Sequence, residues 1–144
     1  MLLWLFIIFL GTAFGAGLYE ARVVVPLWNS APPASLASPD SGRRFWVLVT
    51  TGPLTLLTVA NLVAAWQTQG PGRAWWLTAA IVTLLERAAT FGYFIPTIIR
   101  LQRKPPLSEP VLRAALARWV RLNYVRNGLT LVAWIAALKV LSTS

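Results

Sequence analysis

Four stretches of apolar residues, each near the roughly 20 that a helix needs to cross a bilayer, alternate with short polar connections along the chain. They predict membrane spans over about 2–25, 45–66, 74–99 and 122–141. The first opens on the run Leu2 to Leu10 and closes at Pro26 and Trp28, an interfacial pair. No Lys or Arg precedes it, so it reads as a retained helix rather than a cleaved leader. Residues 29–42, rich in Pro, Ser and Ala, are expected to hold no regular element. Gly70-Pro71-Gly72 stops the second helix, and Trp66, Trp75 and Trp76 flank that turn as an aromatic belt.

After the third span come a basic stretch, Arg100 to Lys104, and the breakers Pro105 and Pro106. Ser108 then stands as an N-cap for the last helix. From Glu109 to Leu141 that helix would be about 50 Å long, more than one crossing needs. Its first part, 109–121, is expected to lie at or emerge into the interface as a short interfacial helix. The fold class is therefore all-α, an integral membrane four-helix bundle in a single domain.

Polar residues interrupt the spans at helical spacing. Thr83, Glu86, Thr90, Tyr93, Thr97 and Arg100 recur every three or four residues on the third span, which places them on one face. Trp119, Asn123, Arg126 with Asn127, and Thr130 do the same on the fourth. Thr51, Thr55, Thr58 and Asn61 form a milder stripe on the second, where threonine hydroxyls can equally bond to their own helix backbone. Polar groups are costly in hydrocarbon, so these stripes are expected to turn inward and line an interior lane. Gly11 and Gly15 form a small-xxx-small pair that would let another helix come close.

Composition narrows the chemistry. With 57% hydrophobic and 12% charged residues, the chain is built for lipid as solvent. It has no cysteine and no histidine, and its carboxylates are Glu20, Asp40, Glu86 and Glu109, so a zinc, copper or haem site made of its side chains is not expected. The net charge of +9 does not indicate nucleic acid, because most of the cations flank the spans, where they set topology and meet anionic lipid headgroups. Arg22, Arg43 and Arg44 border the first loop, and Arg100, Arg103, Lys104, Arg113, Arg118 and Arg121 border the third; Arg73 and Lys139 lie opposite. Both termini are thus expected on the non-cytoplasmic side of an inner or plasma membrane.

An ionised Glu86 near mid-bilayer would cost roughly 2.5–3.5 kcal/mol, so it should be protonated or paired. Arg87 follows it about 100° round the helix, an offset that argues against a simple salt bridge and points Arg87 toward a neighbouring helix or subunit. A pair between Glu20 and Arg126, joining the first and fourth helices, is feasible; snorkelling to the headgroups is the alternative for Arg126 and the favoured one for Arg22.

Three segments, Gly15 to Trp28, Phe91 to Arg100 (Phe-Gly-Tyr-Phe-Ile-Pro-Thr-Ile-Ile-Arg) and Arg118 to Asn127 (Arg-Trp-Val-Arg-Leu-Asn-Tyr-Val-Arg-Asn), resemble the anthrone oxygenase-like family of small four-helix membrane proteins. The most specific of them is the last-helix pattern Trp119, Asn123, Arg126. Characterised members oxidise anthrones to anthraquinones with molecular oxygen and no evident cofactor. The resemblance implies Glu86 or Glu20 as base and Tyr93, Asn123 and Arg126 as hydrogen-bond donors, with Trp119, Asn127, Thr90 and Asn61 around a lipophilic aromatic or quinol-type substrate. Without histidine, a carboxylate must serve as the base.

Two other functions fit the same inventory. One is a small transporter of lipophilic compounds using Glu20, although no inverted repeat is visible. The other is an accessory subunit of a larger membrane complex or homo-oligomer, in which polar residues stitch helices together and tryptophans anchor them.

Overall fold

The computed structural model describes residues 1–32, 34–36, 43–102 and 107–143. Pro33, the Pro39 to Gly42 end of the first loop, and Arg103 to Pro106 lie outside the described residues. Among the described residues all regular structure is helical. Four helices are long and apolar enough to cross a membrane: α1 Leu2–Trp28, α2 Trp46–Gln67, α3 Arg73–Leu101 and α4 Glu109–Leu141. Residues 109–121 and the expected fourth span are one uninterrupted helix. Ser108 occupies its N-cap position, but the hydroxyl makes no capping bond.

α3 packs along α4 and α2, and α1 packs along the same two helices. Two apolar cores result. Near the chain termini, Phe6, Leu10 and Leu54 fill the space beside Ala79, Ala133 and Ala137, whose small side chains let the backbones approach. At the opposite end, Val25, Trp28, Phe94, Leu101, Leu116 and Trp119 form the second core. Between the cores on α1, α3 and α4 lie the buried polar residues, Glu20, then Thr83 to Thr90, then Asn123 to Thr130. Large apolar side chains such as Leu48, Leu56, Leu85, Val125 and Ile135 face outward, as a lipid-solvated surface requires.

α1, α2 and α3 each contain one π turn, at Glu20–Val24, Trp46–Thr51 and Thr90–Phe94. Each turn is followed two residues later by proline, at Pro26, Pro53 and Pro96. The cause is steric and local. A proline ring collides with the carbonyl four residues back and offers no N–H to it; here that carbonyl belongs to Arg22, Val49 or Gly92, always inside the widened turn. The residue before each proline then bonds five residues back at all three sites, Val25 N–H to the Glu20 carbonyl and Ile95 N–H to that of Thr90 at two of them. At the third, Gly52 N–H bonds to the Val47 carbonyl. α4 has its only proline in the first turn, at Pro110, and contains no π turn.

The structure corrects several expectations. The π turn in α3 inserts an extra residue into the helical count, so the inward face runs Glu86, Thr90, Phe94, Leu101. Tyr93 and Thr97 fall half-buried and Arg100 exposed, which ends the expected continuous polar face at Thr90. The first loop does hold a regular element, a 3₁₀ turn at Ala34–Leu36. It forms because Leu36 buries itself in the second core and the Ser35 hydroxyl donates to the Trp28 carbonyl at 2.5 Å. Trp28, expected to face the interface, turns into the protein and is buried, its ring 5.6 Å from that of Trp119. Of the small-residue positions on α1, Gly11 meets Trp134 and Gly15 meets nothing within 4 Å. The closest approach is at Gly17, where an added Cβ would overlap Asn127 Oδ1.

Candidate functional site

The polar layer is organised around Glu86. Arg87 Nε and Nη2 donate to its two carboxylate oxygens at 2.6 and 2.8 Å, and the Thr90 hydroxyl donates to Oε1 at 3.0 Å. The expectation that a 100° offset separates Glu86 from Arg87 is therefore wrong. Backbone rotation fixes where the two side chains start, but the flexible arginine stem bends back so that its planar fork meets the carboxylate. Both side chains are almost fully buried, at 2% and 8% exposure, so the bidentate pair neutralises two charges where water cannot.

Arg126 joins this pair to α1. Its Nε lies 3.9 Å from Glu86 Oε1 and its Nη2 lies 3.9 Å from Glu20 Oε2. The guanidinium carbon sits 4.7 Å above the Phe94 ring, a cation–π contact made possible by the shifted register of α3. Two carboxylates and two guanidiniums thus balance within one layer. Glu20 is the less constrained acid, facing Arg126 at the outer limit of an ion pair and engaged by the Trp46 side chain. Asn127 ties α4 to α1 by donating from Nδ2 to the Gly17 carbonyl at 3.2 Å.

Beside this layer is a cavity of about 350 Å3. That volume falls in the range of small-molecule sites, and its make-up is typical of them, with the charged Glu20, Glu86, Arg87 and Arg126 gathered together and a lining that is otherwise mostly apolar. Glu20, Glu86, Thr90, Trp119, Arg126 and Asn127 line it. The other three residues singled out from sequence do not. Tyr93 stacks edge-on against Phe94 and under Arg118. Asn123 is buried one turn from Arg126, its Oδ1 without a hydrogen-bond partner among the described residues, and Asn61 accepts from Trp76 Nε1 at 3.0 Å. On α2 the hydroxyls of Thr55 and Thr58 bond to the carbonyls of Thr51 and Leu54 in their own helix.

Arg87, Trp28, Trp46, Thr50 and Phe94 also line the cavity and were not expected there. Trp28 was assigned to the interface by its place at a span end, and Phe94 carries no polar signal. For Trp46, Thr50 and Phe94 the pattern that could have found them is the proline two residues beyond each π turn, since all three turns border the cavity. π turns gather at functional sites because the widened backbone re-aims side chains.

The family model described as anthrone oxygenase matches residues 43–136, more than half of the chain. The match takes in α2, α3 and most of α4, and with them Glu86, Arg87, Thr90, Trp119 and Arg126; Glu20 and Trp28 precede it. No curated protein and no solved structure matches the chain.

Proposed function

Because the chain belongs to the anthrone oxygenase family, we propose that it is a membrane-embedded, cofactor-independent oxygenase-like enzyme acting on a lipophilic aromatic or quinol-type substrate. The observation that carries this reading is the cavity itself, an apolar chamber with a charge-balanced Glu–Arg layer along one wall. An anthrone fits that division: a flat hydrocarbon body for Trp28, Phe94 and Trp119, and an oxygen-bearing edge for the guanidinium of Arg126.

Glu20 is the general base in this scheme, because both oxygens of Glu86 already accept from Arg87 and Thr90. It takes a proton from the methylene opposite the substrate carbonyl, leaving a delocalised anion whose oxygen Arg126 stabilises. That anion reduces molecular oxygen, a carbon–oxygen bond forms, and the proton returned by Glu20 gives a hydroperoxide. Loss of water then leaves a second carbonyl. The balance is one CH2 plus O2 to one C=O plus H2O, with O2 as the only oxidant.

Oxygen uptake by purified protein supplied with a panel of anthrones and hydroquinones tests the proposal. Uptake on the preferred substrate should drop by at least about a hundredfold in Glu20→Gln, the usual scale for losing a positioned base. Full activity in that variant would remove Glu20 from the role, and no uptake by the native protein on any of the panel would remove the enzyme reading.

A further inference from the structure

The residues lining the cavity differ in exposure by helix. Those from α1, namely Ala13, Glu20 and Trp28, are all buried, and those from α4 are buried apart from the half-buried Arg126. The other half-exposed or exposed lining residues come from two segments only. On the first turns of α2 they are Trp46, Val47 and Thr51; on the last turns of α3 they are Ile95, Ile98 and Ile99, with Gln102 just past its end. Val47 and Ile99 combine both properties most clearly, bordering the cavity while being 52% and 41% exposed.

The backbone explains why an opening forms there. α2 and α3 pack closely along their 52–67 and 73–89 halves, which the short turn at 68–72 joins. Beyond those halves each enters its π turn, and Trp46–Thr51 then packs against α1 rather than α3. The helices therefore part where Pro53 and Pro96 distort them. At 1.5 Å per residue, Thr51 and Ile95 lie about 7–9 Å in from the helix ends at Trp46 and Leu101, so the gap faces the outer hydrocarbon and headgroup boundary of a bilayer.

We infer that this gap between α2 and α3, rimmed by Val47 and Ile99, is a lateral mouth through which a membrane-dissolved amphipathic aromatic compound reaches the Glu20–Arg126–Glu86 layer from the lipid. This rests on the enzyme reading only for the identity of the compound. The chemistry of the passage selects its occupant. The exposed and half-exposed lining here, Trp46, Val47, Thr51, Ile95, Ile98, Ile99 and Gln102, carries no fixed charge and admits a planar apolar body. The charged groups, Glu20, Glu86, Arg87 and Arg126, are buried or half-buried behind it and would receive a leading phenol or carbonyl edge.

The chain has no cysteine, so a single engineered thiol reports access without background. In Thr50→Cys, the new thiol stands on the cavity wall behind the mouth. In liposome-reconstituted protein, an uncharged lipophilic maleimide should label it at least about tenfold faster than a quaternary-ammonium thiol reagent, because a fixed charge is penalised within hydrocarbon. Adding Ile99→Trp should slow the lipophilic reagent by about fivefold or more through narrowing of the mouth. Val47→Trp, on the opposite rim, should do the same and stands in if the first variant fails to fold. Ile135→Trp, on the lipid face of α4, should leave the rate unchanged. Equal or faster labelling by the charged reagent would overturn the inference, and so would indifference of the lipophilic reagent to both rim variants. Labelling requires no turnover, so its failure is separable from a failure of the oxygen-uptake experiment.

Discussion

Glu86 and Arg87 are adjacent in the chain and bound to each other by two hydrogen bonds, so removing either exposes the other. Arg87→Met should destabilise the protein by about 3–5 kcal/mol, as for other buried pairs broken on one side. The double variant Glu86→Gln/Arg87→Met should recover most of that loss, and denaturant unfolding in detergent micelles measures both. Sequence reasoning identified the acid but misplaced its partner, because helical angles describe Cβ directions and not the reach of a long side chain. The glycines of α1 show the same limit. Gly17→Ala should cost about 1–3 kcal/mol by driving a methyl group into Asn127. Gly15→Ala, with open space around it, should be neutral or stabilising by about 0.5–1 kcal/mol. A spacing rule pairs Gly15 with Gly11 and passes over Gly17, since only the packed structure shows which glycine faces a neighbour.

Among the elements, the π turns separate what periodicity could find from what it could not. Up to Thr90 a period of 3.6 puts the correct residues inside α3; beyond it, the extra residue in the turn moves the inward position from Tyr93 to Phe94. Pro96→Ala restores an N–H and removes the clash that favours the wide turn. The variant should be more stable by about 0.5–2 kcal/mol. It should also lose cavity access as α3 rewinds toward α2. A higher melting temperature together with slower labelling of Thr50→Cys is the expected pair of results, and faster labelling would show that the turn does not hold the gap open.

Across the whole molecule, four apolar stretches were legible because lipid imposes a length and a composition that few other environments demand. The stacking of apolar core, polar layer and second apolar core was legible only in part. The sequence pairs Glu20 with Arg126 near one boundary and leaves Glu86 near mid-bilayer; that Arg126 reaches both carboxylates depends on how the helices lean. The cation count favours both termini on the non-cytoplasmic face, an orientation that predicts an exterior score for a reporter fused after Ser144. The charge pairs also bear on biogenesis. Glu86 emerges from the ribosome with its counterion in the next residue, so α3 can insert already neutralised. Glu20 has its cationic neighbour more than a hundred residues downstream on α4 and must wait for the last helix. A nascent chain halted after α3 would hold that carboxylate unmatched in the bilayer, where quality-control proteases sample incomplete membrane proteins.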